Sequence, residues 1–391
     1  MQTCDRSVRS PKVRSWTALL AGGAAFALAG SAFPARAQVS CGDTLGPGGS
    51  FELTANLDCA TDPALTVVGP VRLEMNGFRI ACSVNTTDGI VLQGTGAKLS
   101  RGAVSGCDEG IRGDAPGGRH TLTAIVASDH VAAGISLQGD GNKLVGCSAD
   151  RNGGSGVALT GAGNKVSGSS ATGNGGQGFA VVGDRNVFSG NVAASNPGSA
   201  GPTGRGFDFV GNQNRFKGNT AAFNDNWGFA IEGAGNKLTD NRSAGNDNWG
   251  FFVDGAGNLL SRNTSSGNTN YGFRVSGAGN VISQNASVGN ANRGFTIDGS
   301  EARITGNLAA GNTNWGLGVS GADHLVSGNN VRGNLSAGIY VDATGTTVTK
   351  NQALGNTPPD LRDANGAGCD ANTWAGNVFG TSDPPAPSCI E

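Results

Sequence analysis

Glu232, Asp254, Ser276, Asp298, Ser320 and Asp342 follow one another at 22-residue intervals. Each stands two residues after a second series, Ala230, Phe252, Arg274, Thr296, Gly318 and Tyr340. If one interval is one turn of a repeating structure, these side chains line a single outward face. Glu232 and Asp254 would then stand ~4.8 Å apart, where repulsion raises one carboxyl pKa or a cation bridges the pair. Asp254 and Asp298, two turns apart, would be ~9–10 Å apart, near the upper end for the carboxyl pair of an inverting glycosidase. On an acidic glycan, removal of a ring proton needs a cation against the uronate and a base for the proton. Arg274 or Arg293 supplies the first and Asp298 or Tyr271 the second, with Glu232 and Asp254 as possible calcium ligands. An enzymatic reading therefore rests on Arg274, Asp298 and Asp254. The competing reading is a solvated strand face that keeps the protein soluble.

A further series at the same interval is Trp227, Trp249, Tyr271, Arg293 and Trp315. Flat side chains on successive turns can stack on each other or offer sugar rings a platform, and Arg293 can lie over its aromatic neighbours. These residues, with Glu232, are the candidate ligand contacts; corner packing is the alternative.

The elements that must position these residues are set by the repeat itself. Asn219, Asn241, Asn263, Asn285, Asn307, Asn329 and Asn351 keep the interval of 22, as do Gly206, Gly228, Gly250, Gly272, Gly294, Gly316 and Gly338. One insertion interrupts the pattern around Pro197–Pro202. Each unit holds three strand-like pieces separated by Gly/Asn turns and no helix-period stripe. Alternation places Phe251 and Val253 inside, Phe252 and Asp254 outside. Leu238, Leu260, Ile282, Ile304 and Val326 point inward from a second strand, Ser243, Ser265, Ser287, Ala309 and Val331 from a third. The asparagines are expected to bond along ladders and to tolerate left-handed backbone. One unit cannot bury its own apolar face, but stacked units can. The fold expected is all-β, a single-stranded right-handed parallel β-helix of about 13 coils, each ~4.8 Å high. The leucine framework of leucine-rich repeats and the G-G-x-G-x-D runs of calcium-binding coils are missing.

The repeats resemble the parallel β-helix repeat of the pectin-lyase-like superfamily, especially its NosD-like branch. The segment Leu73-Glu74-Met75-Asn76-Gly77-Phe78-Arg79-Ile80 resembles that family's opening coil, and Asn372-Thr373-Trp374-Ala375-Gly376-Asn377-Val378-Phe379 its closing one. The resemblance implies the fold; activity does not follow, because this fold hosts lyases, hydrolases, epimerases and adhesins. The G-H-G and R-I-K elements of polygalacturonases and the D-P-H-D of alginate epimerases are absent. Copper binding, associated with NosD, finds no support in one Met outside the leader (Met75) and three scattered histidines. His324 occupies an Asn turn position; His120 and His130 fall in a less regular coil and read as structural.

Composition agrees. Glycine numbers 68 and only 14% of residues are charged, which suits tight turns and excludes a helical protein. Residues 1–37 read as a secretion signal: a basic start (Arg6, Arg9, Lys12, Arg14), an apolar stretch and Ala35-Arg36-Ala37 before a cleavage point. The expected divisions are 38–64 as N-terminal cap, 65–365 as β-helix and 366–391 as C-terminal cap. No later apolar run is long enough to span a membrane. In an exported protein the cysteines imply bridges Cys82–Cys107, Cys369–Cys389 and Cys41–Cys59, with Cys147 left over. No Cys/His cluster suggests a metal site. The net charge of −2 gives no case for nucleic acid. The sequence thus points to a secreted or periplasmic β-helix serving as a glycan-binding or cell-envelope structural module. The alternative is a lyase or related enzyme on an acidic polysaccharide, using no cofactor or, as a lyase, calcium.

Overall fold

The computed structural model describes residues 38–198, 203–365, 369, 371–385 and 389–390. The signal-like segment and its cleavage point lie outside the described residues. The solenoid is legible in one unit: Phe251–Asp254 forms the first face, Leu259–Ser261 the second and Thr264–Ser266 the third. Each strand pairs in parallel with its equivalent 22 residues on, Phe251 against Phe273, Leu259 against Val281 and Thr264 against Ala286. The first face is a 16-stranded sheet from Thr44–Leu45 to Ser382–Asp383. That exceeds the 13 coils expected, because the terminal segments also add rungs. Lys98–Ser105 and Thr121–Ser128 run unbroken from the second face into the third.

Alternation fixes the core. Phe251, Val253, Leu260 and Ser265 are fully buried, while Asp254 is exposed. Phe179, Phe207, Phe229, Phe251, Phe273 and Phe295 stack inside at 4.7–5.0 Å between ring centroids. Burying each such ring stabilises by roughly 1.5–3 kcal/mol. The repeat glycine is demanded by close approach: a Cβ at Gly250 would collide with Ser265 Oγ and the Gly272 carbonyl oxygen.

Three columns of buried asparagines close the turns. Asn263 Oδ1 accepts from both the backbone N and Nδ2 of Asn241, each at 2.9 Å, while Asn241 Nδ2 also donates to the Phe216 carbonyl at 3.1 Å. The same pattern recurs through Asn246, Asn268 and Asn290, so backbone donors that no strand can satisfy find partners. The left-handed backbone does not fall on the asparagines, as the sequence suggested, but on the residue before each: Gly257, Arg262 and Gly267 have φ of 65°, 55° and 60°. That position needs freedom in φ, whereas the asparagine needs an inward-pointing amide.

All three histidines prove to be members of these columns. Nδ1 of His120, His130 and His324 accepts from the backbone N of Ala97, Cys107 and Ala302. Burial pushes each imidazole below its ordinary pKa. The folded state therefore binds fewer protons than the unfolded one just below pH ~6.5. Stability should be full above that value and decline as the pH falls from it toward the folded-state pKa. A His324→Asn variant, whose amide accepts the same bond without titrating, should show a shallower fall of melting temperature between pH 7 and 5. An unchanged slope would contradict this role.

Cys41–Cys59, Cys82–Cys107 and Cys369–Cys389 are bridged, and Cys147 is free and buried. Cys82 and Cys107 are 25 residues apart, as are Gly77 and Gly102, a spacing that would place the two cysteines in strict register on adjacent repeats. Instead the strands there pair Arg79 with Ala103, so Cys107 lies one residue past register, in the turn. Non-reduced peptide mapping of exported protein should recover these three links, with Cys147 alone alkylated after denaturation; free thiols at all seven positions would contradict it.

Candidate functional site

The first face carries its outward residues in register: Glu232 against Asp254, Asp254 against Ser276, Ser276 against Asp298, Asp298 against Ser320 and Ser320 against Asp342. Glu232 and Asp254 are exposed, Arg274 and Asp298 half-buried. Ser276 Oγ donates to Asp254 Oδ1 at 2.6 Å, and Ser320 Oγ to Asp298 Oδ1 at 2.5 Å. The Arg274 guanidinium lies 5.1 Å from the Trp249 ring centre and 3.7 Å from Asp298 Oδ2. Among the described residues no three His, Cys, Asp or Glu gather as a metal would need.

The aromatic series folds down over this face. Trp227 and Trp249 stack at 4.9 Å, Trp249 and Tyr271 at 5.8 Å. Phe252, expected to point freely outward, is half-buried, 4.8 Å from Trp227 and 5.2 Å from Trp249. A column of exposed-side amides holds the preceding turn: Asn248 donates to Asn226, Asn270 to Asn248, Asn292 to Asn270 and Asn314 to Asn292, at 3.0–3.1 Å. The Arg293 guanidinium caps two rings, 3.8 Å from Trp315 and 5.4 Å from Tyr271. Arg205 extends the ladder by one coil, 4.1 Å over Trp227 and 2.7 Å from Asp208. Sequence reasoning passed over Arg205, although it precedes Trp227 by one repeat interval.

The ladder breaks into a concavity at its C-terminal end. Trp315 and Tyr340 stack at 3.9 Å. Gly318 makes room, since a Cβ there would come within 3.0 Å of the Trp315 ring. The resulting hollow, about 220 Å³, is lined by Arg293, Thr296, Asp298, Trp315, Ser320, Tyr340 and Asp342 among others. It includes Asp298, Arg293 and Trp315 of the sequence-proposed residues. Glu232, Asp254, Arg274, Trp227, Trp249 and Tyr271 lie outside it, along the same face. Thr296, on its floor, is only 7% exposed, and its Oγ1 is buried without a partner. Nε of Arg274 and Arg293 and Nε1 of Trp227 and Trp249 are likewise buried and unbonded. Buried polar atoms are ordinarily paired, so their concentration on one face is chemically informative.

Two families match the sequence. One, described as right handed beta helix region, matches residues 79–221 and 109–258; the other, described as periplasmic copper-binding protein (NosD), matches 204–381. No curated protein matches. Among solved structures, the A-module of mannuronan C-5 epimerase AlgE6 from Azotobacter vinelandii is 16% identical, covering 87% of this chain and 90% of that one, with a TM-score of 0.45. A mutant of the periplasmic alginate epimerase AlgG is 12% identical over 85% and 75% of the two chains, TM-score 0.34. Pectate lyase Pel9A is 17% identical over 62% and 69%, TM-score 0.28. The coil-on-coil register and the asparagine columns make this chain a right-handed parallel β-helix solenoid, and its sequence is similar to the NosD family over residues 204–381.

Proposed function

We propose that this is an exported, carbohydrate-related protein that acts on an acidic polysaccharide at the hollow between Arg293 and Tyr340. The observation that supports it most is the meeting of a guanidinium, an unpartnered buried hydroxyl, two carboxylates and a phenol around a stacked aromatic wall. In this reading Trp315 and Tyr340 support a sugar ring, and Arg293 with Thr296 Oγ1 holds its carboxylate. The Asp298 carboxylate takes the proton from the carbon bearing that group. The released electron pair forms a double bond to the neighbouring carbon as its bond to the glycosidic oxygen breaks. Tyr340 gives that oxygen a proton and regains one from solvent. Ser320 holds Asp298 in place through its short hydrogen bond.

Export is supported by the leader-like start, the three disulfides and the periplasmic description of one matching family. A second reading, a non-catalytic glycan-binding module, draws on the short, repetitive turns, which raise no walls around a deep cleft. Incubating exported protein with a panel of polyuronates separates the two. A rise in ultraviolet absorbance supports elimination. Retention on the polymer without that rise, lost on joint Trp249→Ala and Tyr271→Ala substitution of a still-folded protein, supports the binding module.

A further inference from the structure

The second face, which plays no part in the proposed reaction, carries a line of cations. Its first outward column reads Arg72, Lys98, Thr121, Lys143, Lys165, Val187, Arg215 and Lys237, each paired in register with the next. Six of these eight rungs bear a positive charge, and all six side chains are exposed. With rungs ~4.8 Å apart, the line runs for roughly 34 Å. Arg72 approaches Glu74 at 3.8 Å, but Lys98, Lys143, Lys165, Arg215 and Lys237 have no ion pair among the described residues.

Two hollows lie on this line. The first, about 400 Å³, is lined by Arg72, Lys98 and Arg101 with Ser100, Thr121 and Thr123, and by Glu74, which pairs with Arg101 at 2.9 Å and leaves Lys98 as its unpaired cation among the described residues. The second, about 300 Å³, is lined by Arg215, Lys217, Lys237 and Arg262 with Phe216 and Thr239. In the second, Arg262 pairs with Asp240 at 2.8 Å, and among the described residues Arg215, Lys217 and Lys237 have no ion pair. Thr239 Oγ1 is buried there without a partner. The column two residues on supplies hydroxyls beside the cations: Ser100, Thr123, Ser167, Ser189 and Thr239.

We propose that this second face is a binding track for an extended acidic polysaccharide, separate from the hollow on the first face. Charges in a straight line at rung spacing suit a linear polyanion, several weak contacts summing along one chain. The hydroxyl column matches sugar hydroxyls. Neither outward column offers an aromatic side chain, so the base-stacking platforms typical of single-strand nucleic-acid binding are missing. The proposal goes beyond the reaction assigned to the first face: the track would hold the polymer whether or not the hollow turns it over.

Gel retardation by polygalacturonate, with neutral dextran as control, tests it. The full exported chain should be retarded by the polyuronate and not by dextran. Joint Lys143→Gln, Lys165→Gln, Arg215→Gln and Lys237→Gln substitution should weaken retention at least about tenfold. It should also flatten the dependence of log affinity on log salt by about 3, as counterion release from four contacts requires. All four side chains are exposed, and an unchanged melting temperature confirms folding. Turnover is read separately by ultraviolet absorbance, and retention should fall in the quadruple variant whether or not the parent turns the polymer over, which keeps a failure of the catalytic reading distinct from a failure of this one. Undiminished retention of the quadruple variant would overturn the proposal. So would tighter binding of the parent to phosphatidylglycerol vesicles or single-stranded DNA than to polygalacturonate at equal salt.

Discussion

Placing aspartate at Val253 should destabilise the solenoid by roughly 3–5 kcal/mol or more, because an unpaired carboxylate would be locked inside a dry core. Val253 is fully buried between Ile231 and Val275, its partners on the adjacent rungs. Aspartate at Phe252 should cost less, about 1–2 kcal/mol, from lost contact with Trp227 and Trp249. There the carboxylate can turn to solvent. Denaturant unfolding of both variants should show the larger midpoint shift for Val253→Asp. Equal shifts would mean that the phase of the first face has been misassigned.

Arg293→Ala should lower turnover of a polyuronate by about 10²–10³, the scale of removing one group that stabilises charge developing in a transition state. The Arg293 guanidinium lies 3.8 Å from the Trp315 ring centre and 5.4 Å from that of Tyr271, so stability should fall by about 0.5–2 kcal/mol, far less than the loss of turnover. Arg293→Lys keeps the charge but not the planar fork, and should recover only part of the rate. Full activity in Arg293→Ala would remove the residue from the reaction. Full activity in Asp298→Asn would do the same for the proposed base.

The solenoid was legible because its signals are local and repeated. Alternation at Phe251, Phe252, Val253 and Asp254 fixed inside and outside, and the 22-residue interval fixed the register that Phe229, Phe251 and Phe273 adopt. Less legible was anything that depends on how side chains fold over the surface. Phe252 alternates outward as read, yet the indoles on the preceding corner cover it. Thr296 and Gly318 drew no special notice in sequence, because their value lies in what stands above them: one has a buried hydroxyl without a partner, the other leaves room for Trp315. For the same reason the hollow beside Tyr340 and Asp342, away from Glu232 and Asp254, was not foreseen. Net charge is silent in a different way. A value of −2 gives no case for nucleic acid, and it averages an acidic first face with a basic second one. Only register separates Asp254, Asp298 and Asp342 from Lys143, Lys165 and Arg215.

Proton abstraction beside the carboxylate is the step on which the functional account rests, and nuclear magnetic resonance of a polyuronate in deuterated water reads it directly. With exported protein, the ring-proton signal next to the carboxylate should decay, through elimination or through exchange with solvent, and Asp298→Asn and Arg293→Ala should slow that decay at least a hundredfold. A signal that persists unchanged with folded protein, across alginate and polygalacturonate alike, would contradict the account.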